Sequence, residues 1–216
     1  MSFQTIFEIQ QSMSVNNRRT VGQQVSRSGQ VRVAQYLTSV PWVFTITPHN
    51  FLYYPQVRNV VQAIDNKDRQ LPESISFAST NLSWFVAYQG DLTTAQVNAL
   101  TLASVPAANS TTITVGNLPS VSSTANVFKA GDFLQLGLYP YKVTDAVLRG
   151  SGSTVTVTLH RPVIGTPSVG TLTAVGTACT FYMLAEACPT YTLNPMTNGA
   201  FIAWDAPFVF REDITG

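Results

Sequence analysis

Trp42-Val43-Phe44-Thr45-Ile46-Thr47 is the stretch from which the fold is read. Trp42, Phe44 and Ile46 fall on one side of an extended backbone and Val43, Thr45 and Thr47 on the other. That two-residue period marks a strand with one buried face. The pattern returns at 153–159, where Val155, Val157 and Leu159 share a face after the turn signal Arg149-Gly150-Ser151-Gly152. Shorter stretches of the same kind lie at 4–9, 30–37, 74–78, 84–89, 112–115, 133–136, 139–144, 170–175, 180–184, 199–204 and 207–210. The polar link 79–83 reads as a hairpin loop between two of them. Thr (26 residues) and Val (24 residues) are the dominant β-branched types, which supports strands throughout. The expected fold class is mainly β.

One segment departs from that period. Val57, Val60, Val61 and Ile64 sit at helical spacing, Pro55 suits a first helical turn, and Asp65-Asn66-Lys67-Asp68 closes the run before Pro72. This is the one helix the sequence defines, with the sheet strands on either side as its expected partner. A second helix at 93–100 is left open. Composition then shifts near Ala103: the segment 103–112 is small and polar, and Gly becomes frequent after it. The expected organisation is a first domain from 1–103 and 185–216, interrupted by an inserted small β-barrel at 104–184.

Charged residues make up only 11% of the 216 residues, less than half the usual share, and the net charge is +1. Two readings fit: a surface buried against neighbours, or a secreted Thr-rich β-protein. The small net charge favours burial, because it protects a free monomer poorly. Residues 1–70 carry an excess of +4 that includes Arg18, Arg19, Arg27 and Arg32, and residues 71–216 carry −3. Four Arg spread over 18–32 fit contacts to an acidic neighbour better than nucleic-acid binding. The polar start, 1–17, has no apolar signal core, and no run reaches membrane-spanning length. Cys179 and Cys188 can form a disulfide or stay reduced, and a reducing compartment favours the thiols.

No catalytic, cofactor or metal residue is assigned. His49 and His160 lack any metal spacing, and neither a nucleophile elbow nor a phosphate loop occurs. Asp132 and Asp145 read as turn residues rather than a glycosidase pair. Tyr53, Tyr54, Tyr139, Tyr141, Trp204, Phe208 and Phe210 come in groups that suit core packing first, subunit interfaces next and sugar stacking last.

Phe128-Lys129-Ala130-Gly131-Asp132-Phe133-Leu134-Gln135-Leu136-Gly137, followed by Tyr141-Lys142-Val143 and then Leu159-His160-Arg161-Pro162, resembles a signature of bacteriophage minor tail and baseplate proteins. The stretch 195–214 is similar to their endings, and the early strand-helix-strand portion to the tail-tube fold. The resemblance implies a tail-tube-like β-sandwich or barrel with one helix plus the inserted domain. It implies a structural protein and no enzyme, forming a homo-oligomeric ring, with a hexamer favoured and a trimer the alternative. Such a ring joins the distal tail tube to the central hub and spike. The tape-measure protein and DNA pass through its lumen without specific binding, and no membrane is entered. The implied location is the virion, after assembly in the host cytoplasm. The alternative function is a receptor- or carbohydrate-binding β-module of a virion. A DNA-conducting lumen avoids basic residues, so the Arg cluster is expected at subunit contacts. Reversing the charge of Arg18, Arg19, Arg27 and Arg32 should therefore lower ring yield in electron micrographs. Normal assembly with altered DNA ejection would place them in the lumen.

Overall fold

The computed structural model describes residues 3–18, 21–25, 31–35, 40–49, 52–66, 71–172 and 174–214, with backbone only for 21–25, 31–35 and 171. The protein is mainly β. Its chain divides into two compact units: Met1–Asn16, Pro41–Trp84 and Thr180–Thr215 form the first, and Asn17–Val40 with Phe85–Cys179 form the second. The junctions thus fall at 16/17, 40/41, 84/85 and 179/180, where sequence texture placed two, at 103/104 and 184/185, and kept 17–40 in the first domain. The strand at 180–184, expected to close the insert, runs from Thr180–Ala187 and lies in the sheet of the first unit.

That sheet is antiparallel, in the order Gln10–Asn16, Val43–Pro48, Phe208–Glu212, Thr180–Ala187, Glu73–Ser76. Alternation is obeyed: Trp42, Phe44 and Ile46 are buried, while Val43, Thr45 and Thr47 are half-buried. Phe44 lies opposite Phe210 and Ile46 opposite Phe208. The apolar face is covered by a helix, Phe3–Glu8, in a stretch expected to be a strand. Phe3, Ile6 and Phe7 sit at i, i+3 and i+4, and all three are buried. The ring of Phe7 lies 5.7 Å from Phe44, 5.7 Å from Phe77 and 5.0 Å from Phe210. Glu73 accepts from the N–H groups of Phe3 and Gln4, placing negative charge at the helix start. Gln4 bonds both main-chain groups of Ser76 through its amide, closing that edge of the sheet.

The expected helix is present as Tyr54–Asp65, with Val61 and Ile64 buried. Its partner is not the aromatic sheet but a second sheet of the same unit, in the order Tyr191–Met196, Gly199–Trp204, Leu52–Tyr53. The open alternative at 93–100 is a short helix, Thr94–Asn98, with a capping box between Thr93 and Gln96. No strand forms at 84–89. Leu82 and Ser83 donate to the Ser79 carbonyl and a 3₁₀ turn, Ser83–Phe85, follows, so local turn bonds take up the groups a ladder would need.

In the second unit, the strands Val155–Thr158, Thr112–Gly116, Thr101–Leu102 and Gly170–Thr171 form one sheet. Tyr139–Lys142, Phe133–Leu136 and Ala174–Val175 form another, and a single antiparallel bridge from Val143 to Leu159 joins the two sheets. Asn126–Phe128 pairs with Val147–Leu148, and Val21–Val25 with Val31–Gln35. The ends of the expected strand at 30–37 lie outside the described residues. Gly137, at φ 61°, takes the first place of the two-residue loop between Leu136 and Tyr139, a left-handed position that favours glycine. Arg161 is fully buried. Its guanidinium donates to the carbonyls of Val40 at 2.6 Å and Pro140 at 2.9 Å, and lies 5.0 Å from the Tyr141 ring centre. Arg161→Met should leave both carbonyls without this donor, at ~1–3 kcal/mol each. Urea unfolding should register a loss of about 3 kcal/mol.

Candidate functional site

The residues singled out for chemistry mostly serve the fold. His160 accepts the Lys142 N–H at Nδ1, 3.0 Å away, which places the proton of the neutral ring on Nε2. His49 is exposed at the end of the Val43–Pro48 strand, its main-chain N–H donating to Ile9. Asp132 is buried: one oxygen accepts from Lys129 N–H and the other from Gln89 N–H, each at 2.7 Å. Burial raises its pKa in spite of those donors. Asp145 is exposed and accepts from the Thr144 hydroxyl. Both carboxylates are taken up locally, Asp132 by two main-chain donors of a turn and Asp145 by the neighbouring Thr144 hydroxyl, as turn residues are. Both cysteines are free thiols, and burial pushes Cys179 up to about 12. Among the described residues no three His, Cys, Asp or Glu side chains gather to hold a metal. No helix there is long and apolar enough to cross a membrane.

The aromatic groups separate. Tyr139, Tyr141, Phe208 and Phe210 are buried. Tyr53, Tyr54 and Trp204 are half-buried. None of the first four can act as an exposed platform. Two other surfaces of the first unit stand out instead.

The first is the outer strand Tyr191–Met196. Among the described residues it pairs on one side only, with Gly199–Trp204, and five of its six residues are exposed. Pro195 is tolerated there because an edge strand can spare a donor. No charged residue occurs between Glu186 and Asp205. Leu193 is 41% exposed and Met196 57%. One face of this small sheet carries Leu193, Ile202 and Leu52, aligned by register, with Ile202 buried. Tyr191 and Trp204 lie on that face, and the Tyr191 hydroxyl reaches Asp65 at the helix end. The opposite face carries Asn194, Phe201 and Tyr53 in one row, flanked by Met196 and Thr192. The Tyr53 ring lies so close over Gly199 that an added Cβ would meet it at 2.6 Å, so a side chain there would have to push the ring aside. Its hydroxyl donates to the Asn198 carbonyl at 2.6 Å. This face is aromatic at its centre, where Tyr53 and Phe201 meet edge to face, and its strand residues carry no charge.

The second is a cleft of about 400 Å³ lined by Gln10, Gln11, Ser12, Met13, His49, Asn81 and Trp84. The register shifts between Gln10 and Ser12, a bulge that re-aims the side chains of this strand. Trp84 is 64% exposed, and its Nε1–H donates to the Asn81 carbonyl at 2.8 Å. Sequence reading missed this residue because Trp-Phe-Val-Ala-Tyr-Gln looks like a strand, which would bury every second ring.

The sequence matches no protein-family model and no curated protein. The segment around Gly131 is built on turn bonds. Gly131, at φ 102°, donates to Val143, and Val143 donates back to Asp132. Lys129 forms an ion pair with Asp91 at 3.2 Å. Asp91 also accepts from the main-chain and side-chain amides of Asn126, and these donors, ahead of Lys129, hold its carboxyl at about 2, below the ordinary 3.8. A depressed carboxylate adds stability above its unfolded pKa and loses it as pH falls through its folded one. Asp91→Ala should thus melt below the wild type at pH 7. Melting curves should show the gap narrowing as pH drops from 3.8 toward 2.

Proposed function

We propose that the chain is a structural, non-enzymatic subunit of a bacteriophage tail or baseplate. In this reading it forms a ring that joins the distal tail tube to the hub and spike around the DNA channel. The observation that carries the reading is the outer strand Tyr191–Met196. Its edge is open, its exposed residues include Leu193 and Met196, and no charge lies on it or on its neighbour. Soluble monomers blunt such edges with Lys, inward charges or a covering segment. The sheet edge at Ser76 is treated in that way by Gln4, so the contrast lies within one unit.

A strand edge with an uncharged sheet face beside it suits a head-to-tail contact with the next copy, which closes into a ring when the rotation permits. The sparse charge of the whole chain fits the same account, since interface cores are depleted in charge. The sequence signature supplies the tail as the setting. Six-fold closure is favoured, with three-fold as the alternative. The tape-measure protein and DNA would pass the lumen without specific contacts.

Light scattering after size exclusion, with negative-stain micrographs, tests the reading on the full chain, alone and with the adjacent tail-tube and hub proteins. Rings are expected in at least one of these mixtures. A chain that stays monomeric in all of them overturns the proposal. The double variant Asn194→Lys/Met196→Lys should abolish rings while shifting stability by no more than ~0.5 kcal/mol, because both positions are exposed.

A further inference from the structure

The cleft beside Trp84 uses different residues from the outer strand, and its chemistry is distinct. We propose that it is a binding subsite for a neutral pyranose, one residue of a glycan chain.

The platform comes first. Trp84 leaves 64% of its surface exposed, so its ring is within reach of a ligand. The ring is nevertheless held. Its Nε1–H is tied to the Asn81 carbonyl, and the loop carrying it is pinned by Leu82 and Ser83 donating to Ser79. A flat aromatic surface is thus fixed before any ligand arrives, and the ordering cost of binding falls.

The polar groups come second. Gln10, Gln11, Ser12, His49 and Asn81 bring amide, hydroxyl and imidazole groups to the cleft wall. The Gln10 Oε1 atom is buried and accepts no hydrogen bond. A rotation of the Gln10 side chain toward the cleft would bring that acceptor to a ligand hydroxyl and relieve a cost of about 1–3 kcal/mol. The bulge at Gln10–Ser12 turns this part of the strand into a cluster of donors and acceptors rather than a regular ladder.

The charge comes third. Among the described residues no Asp, Glu, Lys or Arg lines the cleft, and amide and hydroxyl groups predominate on its wall. A pyranose matches what remains: an apolar face of C–H groups for the indole and a rim of hydroxyls for the amides. A cleft of about 400 Å³ lies within the ~300–1,000 Å³ span of small-ligand sites. A Pro-rich peptide fits less well, because its groove needs several aromatic walls and the described residues of this cleft supply one, Trp84.

The test uses the full chain and the methyl glycosides of glucose, galactose, mannose and N-acetylglucosamine, with their short oligomers. Binding is followed by tryptophan fluorescence and saturation-transfer NMR. At least one sugar series should bind with a dissociation constant on the order of 1 mM or below. Trp84→Ala and Gln10→Leu should each weaken that binding tenfold or more, and Trp84→Phe should weaken it less than Trp84→Ala. Circular dichroism should show all three variants folded. Asn194→Lys/Met196→Lys should bind sugar as the wild type does, which separates a failure of assembly from a failure of the cleft. Absence of saturable binding for every sugar, unchanged binding in Trp84→Ala, or binding of a Pro-rich peptide without any sugar would each overturn the proposal.

Discussion

Packing of the Phe7 ring against Phe44, Phe77 and Phe210 is the contact on which the first unit depends. Phe7 comes from a helix, Phe44 and Phe210 from neighbouring strands, and Phe77 from just beyond a third. Phe181 extends the cluster, 4.9 Å from Phe77 and 5.3 Å from Phe44. Rings at these distances meet mostly edge to face, each pair adding ~0.5–1.5 kcal/mol beyond its buried area. The cluster draws together segments that lie far apart along the chain. Glu73 and Gln4 then register the short helix against the edge strand, and the sheet face is sealed.

The strand-rich character was legible because alternation survives wherever one face is buried. Trp42, Phe44 and Ile46 show it, as do Val157 and Leu159. The Tyr54–Asp65 helix was legible for the same reason, since its apolar stripe has a single period. Legibility failed where a short segment satisfies two periods. Phe3, Ile6 and Phe7 fit a helical stripe, yet six residues are too few to exclude a strand by pattern alone. The junctions failed for another reason: composition changes at a loop, whereas units are defined by pairing. Thr180–Ala187 reads like the strands before it, but its partners are Phe208–Glu212 and Glu73–Ser76. Trp84 was missed because an exposed ring and a buried ring leave the same letter in the sequence.

Charge is the thread between structure and the proposed role. A chain with so few charged residues cannot cover its surface with them, and here they are used locally. Arg161 holds carbonyls, Asp91 and Asp132 build turns, and Glu73 starts a helix. Little charge is left for solubility, and the span from 187 to 204 has none. A protein that lives as one part of an assembly can tolerate this, since its neighbours take the place of solvent. The neutral, amide-lined cleft belongs to the same economy: recognition there would rest on shape and hydrogen bonds rather than on fields.

The interleaving of Thr180–Ala187 between Phe208–Glu212 and Glu73–Ser76 also bears on how the protein is made. As the chain leaves the ribosome, Val43–Pro48 and Glu73–Ser76 emerge long before the strands that complete their sheet. The second unit's Phe85–Cys179 stretch is synthesised in between and can settle while the first unit waits. During that interval Phe44, Ile46 and Phe77 have no sheet to close over them, and such exposed strands are prone to pair wrongly.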